Sequence, residues 1–389
     1  MRPARAGIVA VALLAVTVSA QDTVRVKAGQ PAWGTNVGLK QLYVIGGPPD
    51  YDIGILYSSA VDRQNRVYIF DMKANQIKAF DADGKFVRNI GGRGSGPGEY
   101  RLVVGAAIVR DSLLATHDVS NGRLVVFRPD GSLDENIVLK RSLTNETGKL
   151  PADAPDHLYF KALFMPNPNG RGSVALPKAQ QQWLRYSLAG DVTDSMMYPS
   201  FYERPKEWRP FDPYGDIWNW SGGGGVIFDG SDDYSILIKP FHGAVRKITR
   251  DIPPTPVQSD ERAQQIAFYD AISQDPRGPH DPANIPKNKP AIRAISVDAD
   301  GRIWVSLFAK AEKRSLPPLD RPSTIPRVEW RQAPVYDLYD ADGKYLAHFE
   351  FPYGFERVFL ARGDRVWLNS MGPDGEYLLT AFQITGIKR

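Results

Sequence analysis

Ile77-Lys-Ala-Phe80-Asp-Ala-Asp-Gly84-Lys-Phe-Val87 alternates apolar and polar residues, turns through Asp-Gly, and alternates again. Asp-Gly supplies the positive φ angles of a two-residue hairpin turn, so the stretch predicts a pair of antiparallel strands. The unit recurs as Leu124-Val-Val-Phe127-Arg-Pro-Asp-Gly131 and as Val335-Tyr-Asp-Leu-Tyr339-Asp-Ala-Asp-Gly343-Lys-Tyr-Leu346. Weaker copies begin at Trp183, Val245 and Leu378, which makes six. A second unit precedes several of them: Val61-Asp-Arg-Gln-Asn65-Arg-Val-Tyr-Ile69, Val297-Asp-Ala-Asp-Gly301-Arg-Ile-Trp-Val305 and Leu360-Ala-Arg-Gly-Asp364-Arg-Val-Trp-Leu368. It too reads as strand, tight turn, strand.

Two hairpins in series make a four-stranded meander, which cannot bury both of its faces alone. Several such sheets packed face to face around an axis can, which is the logic of a β-propeller. The fold class expected is therefore all-β, a six-bladed propeller. Its last repeat, from Phe355 to Ile387, supplies only three strands. Gln41-Leu-Tyr-Val-Ile45-Gly-Gly47 resembles Phe86-Val-Arg-Asn-Ile90-Gly-Gly92, the outer strand of the first repeat. An N-terminal strand is thus expected to close the ring in the last blade, leaving no open edge inside it. Turns between first and second and between third and fourth strands are short. The long insertions, about 198–225, 251–290 and 309–334, fall in the connections that share the opposite rim. Long loops on one rim of a rigid scaffold are where binding sites lie.

Composition narrows the classes further. The 389 residues carry 42% hydrophobic and 24% charged side chains, which suits a large core. A formal charge of +4 on 48 basic and 44 acidic groups is too small a surplus for a nucleic-acid partner. With no Cys there is no disulfide, thiolate nucleophile or Cys-ligated zinc. Residues 1–20 read as a signal peptide: Arg2 and Arg5, an apolar run from Ile8 to Val18, then Ser19-Ala20. That run would span only about 17 Å of helix against about 30 Å of hydrocarbon. Residues 21–389 are then a single exported propeller domain, periplasmic or extracellular, with no membrane span after cleavage.

A family resemblance follows from these residues. Asp71-x-x-x-Asn75-x-Ile77-x-x-Phe80-Asp-x-Asp-Gly84, with Gly91-Gly92-Arg-Gly-Ser-Gly-Pro-Gly-Glu-Tyr100 after it, resembles exported bacterial six-bladed propellers related to NHL-repeat and TolB-like propellers. Asp118-x-x-Asn121-x-Arg123-Leu-x-x-Phe127 is similar to the NHL strand pattern, and Lys289-Pro290 through Asp298 to Val305 resembles largely uncharacterised members of that group. The group spans binding proteins, lactonase-like hydrolases and lyases, so the resemblance implies a fold more than an activity.

The chemistry in the sequence is sparse. It contains no His-Glu-x-x-His, no Gly-x-Ser-x-Gly and no phosphate loop. The Asp-x-Asp-Gly copies at Asp81, Asp298 and Asp340 suggest calcium loops, but their twelfth positions are Gly92, Ala309 and Phe351 where a Glu is needed, so they read as turns. His117-Asp118 closes a second strand on the decorated rim, where the preceding repeat has Phe70-Asp71. His117 there is a candidate general base with Asp118 and Asp71 beside it, against the reading that both Asp residues cap their own turns. The 198–220 connector is dense in aromatics. Arg204, Trp208, Arg209, Tyr214, Trp218 and Trp220 are the candidate contacts for a small-molecule, glycan or peptide ligand, or for an envelope protein. Ser259 to Ser273 reads as an amphipathic helix with Ser259 as its N-cap. The leading expectation is a binding or scaffold propeller without a cofactor. The alternative is a lactonase-like hydrolase or lyase with a metal, Ca²⁺, in the channel, for which no ligand residue can be named.

Overall fold

The structure is a computed structural model that describes residues 22–26, 30–47, 53–139, 152–153, 157–162, 164–166, 173–175, 182–197, 211, 218–221, 224–228, 233–271, 285–315, 325–372 and 375–388. It is an all-β propeller. Among the described residues there are five four-stranded sheets and one of five strands, with four two-stranded sheets in the connections. The first runs Leu56–Val61, Val67–Asp71, Gln76–Phe80, Phe86–Ile90, and the second Val103–Val109, Leu113–Asp118, Arg123–Phe127, Leu133–Val138. The third contains Ala152–Asp153, His157–Ala162, Gln182–Ser187 and Val192–Met197. The fourth contains Trp218–Ser221, Gly224–Phe228, Ser235–Lys239 and Arg246–Arg250, and the fifth Ile292–Val297, Ile303–Leu307, Val335–Tyr339 and Tyr345–Glu350.

The sixth sheet takes Phe355–Arg362, Arg365–Met371 and Tyr377–Thr385 from the end of the chain. Its fourth strand is Gly38–Ile45, antiparallel to the last one with Gly38 opposite Thr385 and Ile45 opposite Leu379. A strand without counterpart in the sequence reading is Asp22–Val26. It lies parallel to Arg246–Arg250 as the fifth strand of the fourth sheet, with Val26 opposite Arg250. Between the two N-terminal strands the chain crosses the fifth sheet. Ala32 and Trp33 donate backbone N–H groups to the carbonyls of Tyr345 and Leu346, and the Arg302 guanidinium sits 5.6 Å over the Trp33 ring.

The turns differ in detail from a two-residue loop. Asp81 N–H bonds the Lys85 carbonyl, Gly84 N–H bonds the Asp81 carbonyl, and Gly84 alone of this turn has a positive φ, of 79°. That is a three-residue loop ending in a bulge, whose last position needs the left-handed region. The carboxylate decides it: Asp81 Oδ1 accepts from the backbone N–H groups of Asp83 and Lys85 at 3.0 and 2.9 Å. Asp340 Oδ1 does the same for Asp342 and Lys344. The first hairpins of the sheets go further. Asp62 accepts from the N–H groups of Gln64 and Arg66, from Arg66 Nε at 2.6 Å and from the Tyr68 hydroxyl at 3.2 Å. Asp298 repeats this with Asp300, Arg302 Nε at 2.7 Å and Trp304 Nε1 at 2.8 Å. One Asp-x-x-x-Arg-x-aromatic pattern thus closes the turn and anchors a large ring in the core.

The core is divided among the seams. Ala60, Tyr68 and Phe70 pack with Val103, Leu114 and Phe127 between sheets one and two, and Ala115 and Leu124 with Phe160 and Tyr186 between two and three. Tyr159 and Trp183 meet Leu237 between three and four, and Ile236 and Ile248 meet Ile303 and Tyr339 between four and five. Trp304 and Tyr336 meet Val358 and Leu368 between five and six. Between six and one, Trp367, Leu379 and Ile45 pack with Leu56, Ile69 and Phe80. Each sheet buries one face on the sheet before it and the other on the sheet after it.

Trp367 lies fully buried in the seam between the last and first sheets, and its Nε1 donates to the Tyr43 hydroxyl at 3.1 Å. Trp367→Ala should therefore lower the unfolding free energy by about 3–5 kcal/mol. Urea denaturation checks this, and a midpoint unchanged from the wild type would contradict the packing.

Candidate functional site

A network of buried charges and hydroxyls gathers at the seam of the fourth and fifth sheets. Strands Arg246–Arg250 and Val335–Tyr339 bring Arg250 against Asp337, whose side chain is fully buried and whose Oδ2 accepts from Arg250. Asp337 Oδ1 also accepts from the Tyr345 hydroxyl at 3.1 Å and is 2.8 Å from His348 Nδ1. The Arg250 guanidinium lies 4.7 Å over the Tyr345 ring, and the Tyr234 and Tyr339 hydroxyls share a 2.7 Å bond beside them. Burial alone would raise the Asp337 carboxyl, but the bonds and charges of His348 and Arg250 outweigh it and hold the group below the ordinary carboxylate range. The same bond to Asp337 raises His348 above an ordinary imidazole.

In front of this network opens a cleft of about 750 Å³. Its walls are the start of Ser235–Lys239, the end of Arg246–Arg250, the chain leaving the fourth sheet at 251–255 and the chain reaching the fifth at 286–291. Pro253, Pro254, Pro286 and Pro290 are among the wall residues, and their fixed φ angles hold that backbone in one shape. Lys289, also in the wall, has a buried side chain whose Nζ meets Glu261 Oε1 at 2.7 Å and the Ala309 carbonyl at 3.0 Å. Desolvation lowers the Lys289 ammonium from its ordinary value.

Glu261 belongs to the helix Ser259–Ala271. The first helical bond runs from Arg262 N–H to the Gln258 carbonyl, and Gln258 N–H reaches back to Glu261. The cap is therefore Gln258, one residue before the Ser259 that the sequence suggests, because Glu261 closes the capping box on it. Gln264 holds Glu329 at 3.1 Å, which ties the helix to the 309–334 loop of the fifth sheet.

The residues singled out from the sequence are placed as follows. Arg204, Trp208, Arg209 and Tyr214 lie outside the described residues. Trp218 and Trp220 sit on strand Trp218–Ser221, opposite Ile227 and Gly225. From the aromatic connector, Phe211 packs edge-on against Phe308 and lies 5.2 Å from Lys289 Nζ, next to the cleft. Asp71 and Asp118 are used up by structure. Asp71 accepts from the N–H groups of Gly54, Ile55, Lys73 and Ala74 and pairs with buried Lys78 at 2.7 Å. Asp118 accepts from Arg101, Leu102 and the Asn121 amide, with Arg123 Nε at 3.8 Å. Arg123 and Asn121 in turn bond carbonyls of Gly94, Gly96 and Glu99, which fixes the glycine-rich loop in place.

His117 is not joined to either carboxylate. It is fully buried, its ring lies edge-on to Phe160 at 5.0 Å, and neither ring nitrogen has a hydrogen-bond partner. Neighbouring residues on a strand face opposite ways, so Asp118 points to the connector while His117 points into the seam. Among the described residues, no three His, Cys, Asp or Glu side chains gather as a metal site.

The sequence reading missed Arg250, Asp337 and Lys289 because 87 residues separate Arg250 from Asp337 and no motif joins them. One local signal was available: Asp337 falls on the same strand face as Val335 and Tyr339, a charge inside a buried stripe.

The class is thus a β-propeller, and comparison with known proteins agrees. Residues 53–141 match a protein-family model described as a 6-bladed beta-propeller. A protein described as exported, from Bacteroides fragilis, superposes with a TM-score of 0.51 at 12% identity, covering 93% of this chain and 99% of its own. One from Bacteroides vulgatus does so with a TM-score of 0.51 at 13% identity, covering 90% of this chain and 98% of its own. At such identities the likeness concerns the fold alone. No curated protein matches the chain in sequence.

Burial drives the His117 imidazole down to about 4, the charge of Asp118 acting weakly the other way. The unfolded chain therefore binds a proton there that the folded protein refuses between about pH 6.5 and 4. This stability is present above the upper value and is lost as pH falls through the window. His348, raised by Asp337, works in the opposite sense and loses its contribution as pH rises. Comparing urea midpoints of wild type and His117→Leu across that window isolates the His117 part. The wild type should lose more stability on acidification, and parallel curves would contradict the assignment.

Proposed function

We propose that this is an exported binding protein, a six-bladed propeller fastened by strand Gly38–Ile45, which engages its ligand on the rim that carries the long connectors. Six sheets, and seam clusters that run in cyclic order from the first pair to the last-and-first pair, support the blade count. The pairing of Gly38–Ile45 with Tyr377–Thr385 supports the fastening. Export rests on the pattern of residues 1–20, which lie outside the described residues, and on the fold shared with a Bacteroides protein described as exported.

The observation that carries the binding reading is the cleft. Its size is that of a pocket for a small molecule, its proline walls are rigid, and its polar lining is held in place by bonds made behind it. A site whose side chains are already fixed loses little entropy when a ligand arrives. The connector aromatics, of which Phe211 stands beside Lys289, would add contact surface at the mouth.

A thermal-shift series on the mature protein tests this with neutral sugars, sugar phosphates, amino acids and dipeptides. A ligand at a hundred times its dissociation constant adds about 2.7 kcal/mol. For a chain of this length that raises the melting temperature by about 3 °C. Asn288→Trp, an exposed substitution in the cleft wall, should abolish the rise. No rise with any member of the series, or a rise indifferent to Asn288→Trp, would sink the proposal.

A further inference from the structure

The lining of the cleft narrows the class of ligand. Lys247, Arg250, Lys287 and Lys289 are in the lining with Asp233 and Asp251, and Arg250 and Lys289 are balanced by Asp337 and Glu261, which leaves Lys287 as the exposed cation. The carboxylates that pair with Arg250 and Lys289, Asp337 and Glu261, are not part of the lining. They are fully or almost fully buried and fix the positions of their partners.

Arg250 is the focus. A guanidinium has five N–H donors in a fixed fork. One nitrogen is taken by Asp337, and the ring of Tyr345 fixes the plane. Arg250 Nε is buried and has no hydrogen-bond partner. Ser235, also in the lining and fully buried, has an Oγ without a partner. Ser235 is opposite Thr249, so strand alternation puts Ser235 and Arg250 on opposite faces, and both residues are in the cleft lining. Leaving a buried donor unsatisfied costs about 1–3 kcal/mol, more when it is charged. Both groups donate, and both call for an acceptor oxygen. An oxygen that carries negative charge is the strongest acceptor for the guanidinium donor.

We infer that the cleft binds a small organic oxyanion, a carboxylate or a phosphate ester, with Arg250 as its principal donor and Lys287 adding charge at the mouth. The inference rests on the cleft being the binding site. Its closing experiment pairs ligands that differ only in charge: glucose 6-phosphate with glucose, and glutamate with glutamine. Titration calorimetry and thermal shift should detect the anion of at least one pair and not its neutral mate, with an affinity that falls as NaCl is added.

Lys287→Glu, at an exposed position, should weaken that binding by about tenfold or more, the equivalent of about 1.4 kcal/mol, with the melting temperature of the free protein unchanged. Arg250→Lys keeps the charge facing Asp337 but lacks the fork, and should weaken binding at least as much. The inference fails if the neutral mates bind as well as the anions, or if binding is indifferent to both variants. It also fails if NaCl at equal ionic strength reproduces the rise, which marks an ion effect without a site. If a neutral ligand alone binds, and Asn288→Trp abolishes it, the cleft stands as a binding site and the charge assignment falls. If no ligand of either kind binds, both fall.

Discussion

A four-stranded sheet with two apolar faces cannot stand alone in water, and everything else in this fold follows from that constraint. Each sheet hides one face on its predecessor and the other on its successor, and the sixth packs on the first. The cluster of Trp367, Leu379 and Ile45 with Leu56, Ile69 and Phe80 does this with side chains. The pairing of Gly38–Ile45 with Tyr377–Thr385 does it with backbone bonds. The N-terminal segment also lays a strand on the fourth sheet and bonds the fifth on its way to the sixth, so its first twenty-odd described residues touch three consecutive sheets. The segment thereby adds backbone bonds to sheets that already share the clusters of the fourth-to-fifth and fifth-to-sixth seams.

Carboxylates do much of the local shaping. Asp62 and Asp298 each satisfy two backbone donors, an arginine and the polar atom of a buried ring. Asp71 and Asp118 tie the connector ahead of a sheet to that sheet's second strand. A carboxylate saturated with backbone donors has few lone pairs left for a substrate, which is why aspartates so prominent in the sequence stand apart from the cleft. Asp337 and Glu261, outside the lining, are each spent on a cation of the cleft wall, Arg250 and Lys289.

Much of this was legible in the sequence, and the reasons are physical. Hairpins announce themselves through alternation and through Asp, Asn and Gly at fixed offsets, so the strands around Asp83-Gly84 and Asp300-Gly301 read directly. The turn type did not, because one positive φ or two depends on where the Asp81 carboxylate bonds. Strand Asp22–Val26 was missed because its partner, Arg246–Arg250, is more than two hundred residues away and a single added edge strand leaves no repeat. The cleft was missed for the same reason. Arg250, Ser235 and Lys289 come from two strands and a connector, and their partners Asp337 and Glu261 come from a neighbouring sheet and a helix. His117 drew notice as a polar residue at a strand end, yet its neighbours across the seam, Phe160 above all, could not be known from local spacing.

The N-terminal strand Gly38–Ile45 is an integral part of the last sheet. Native-state amide hydrogen exchange on the mature protein measures that directly, since a strand bonded inside a cooperative sheet exchanges only when the unit opens. The amides of Gly38–Ile45 that face the last strand should be protected to the same degree as those of Leu379–Thr385 opposite them. Exchange of Gly38–Ile45 at the rate of an unstructured segment, with the last strand still protected, would contradict the account.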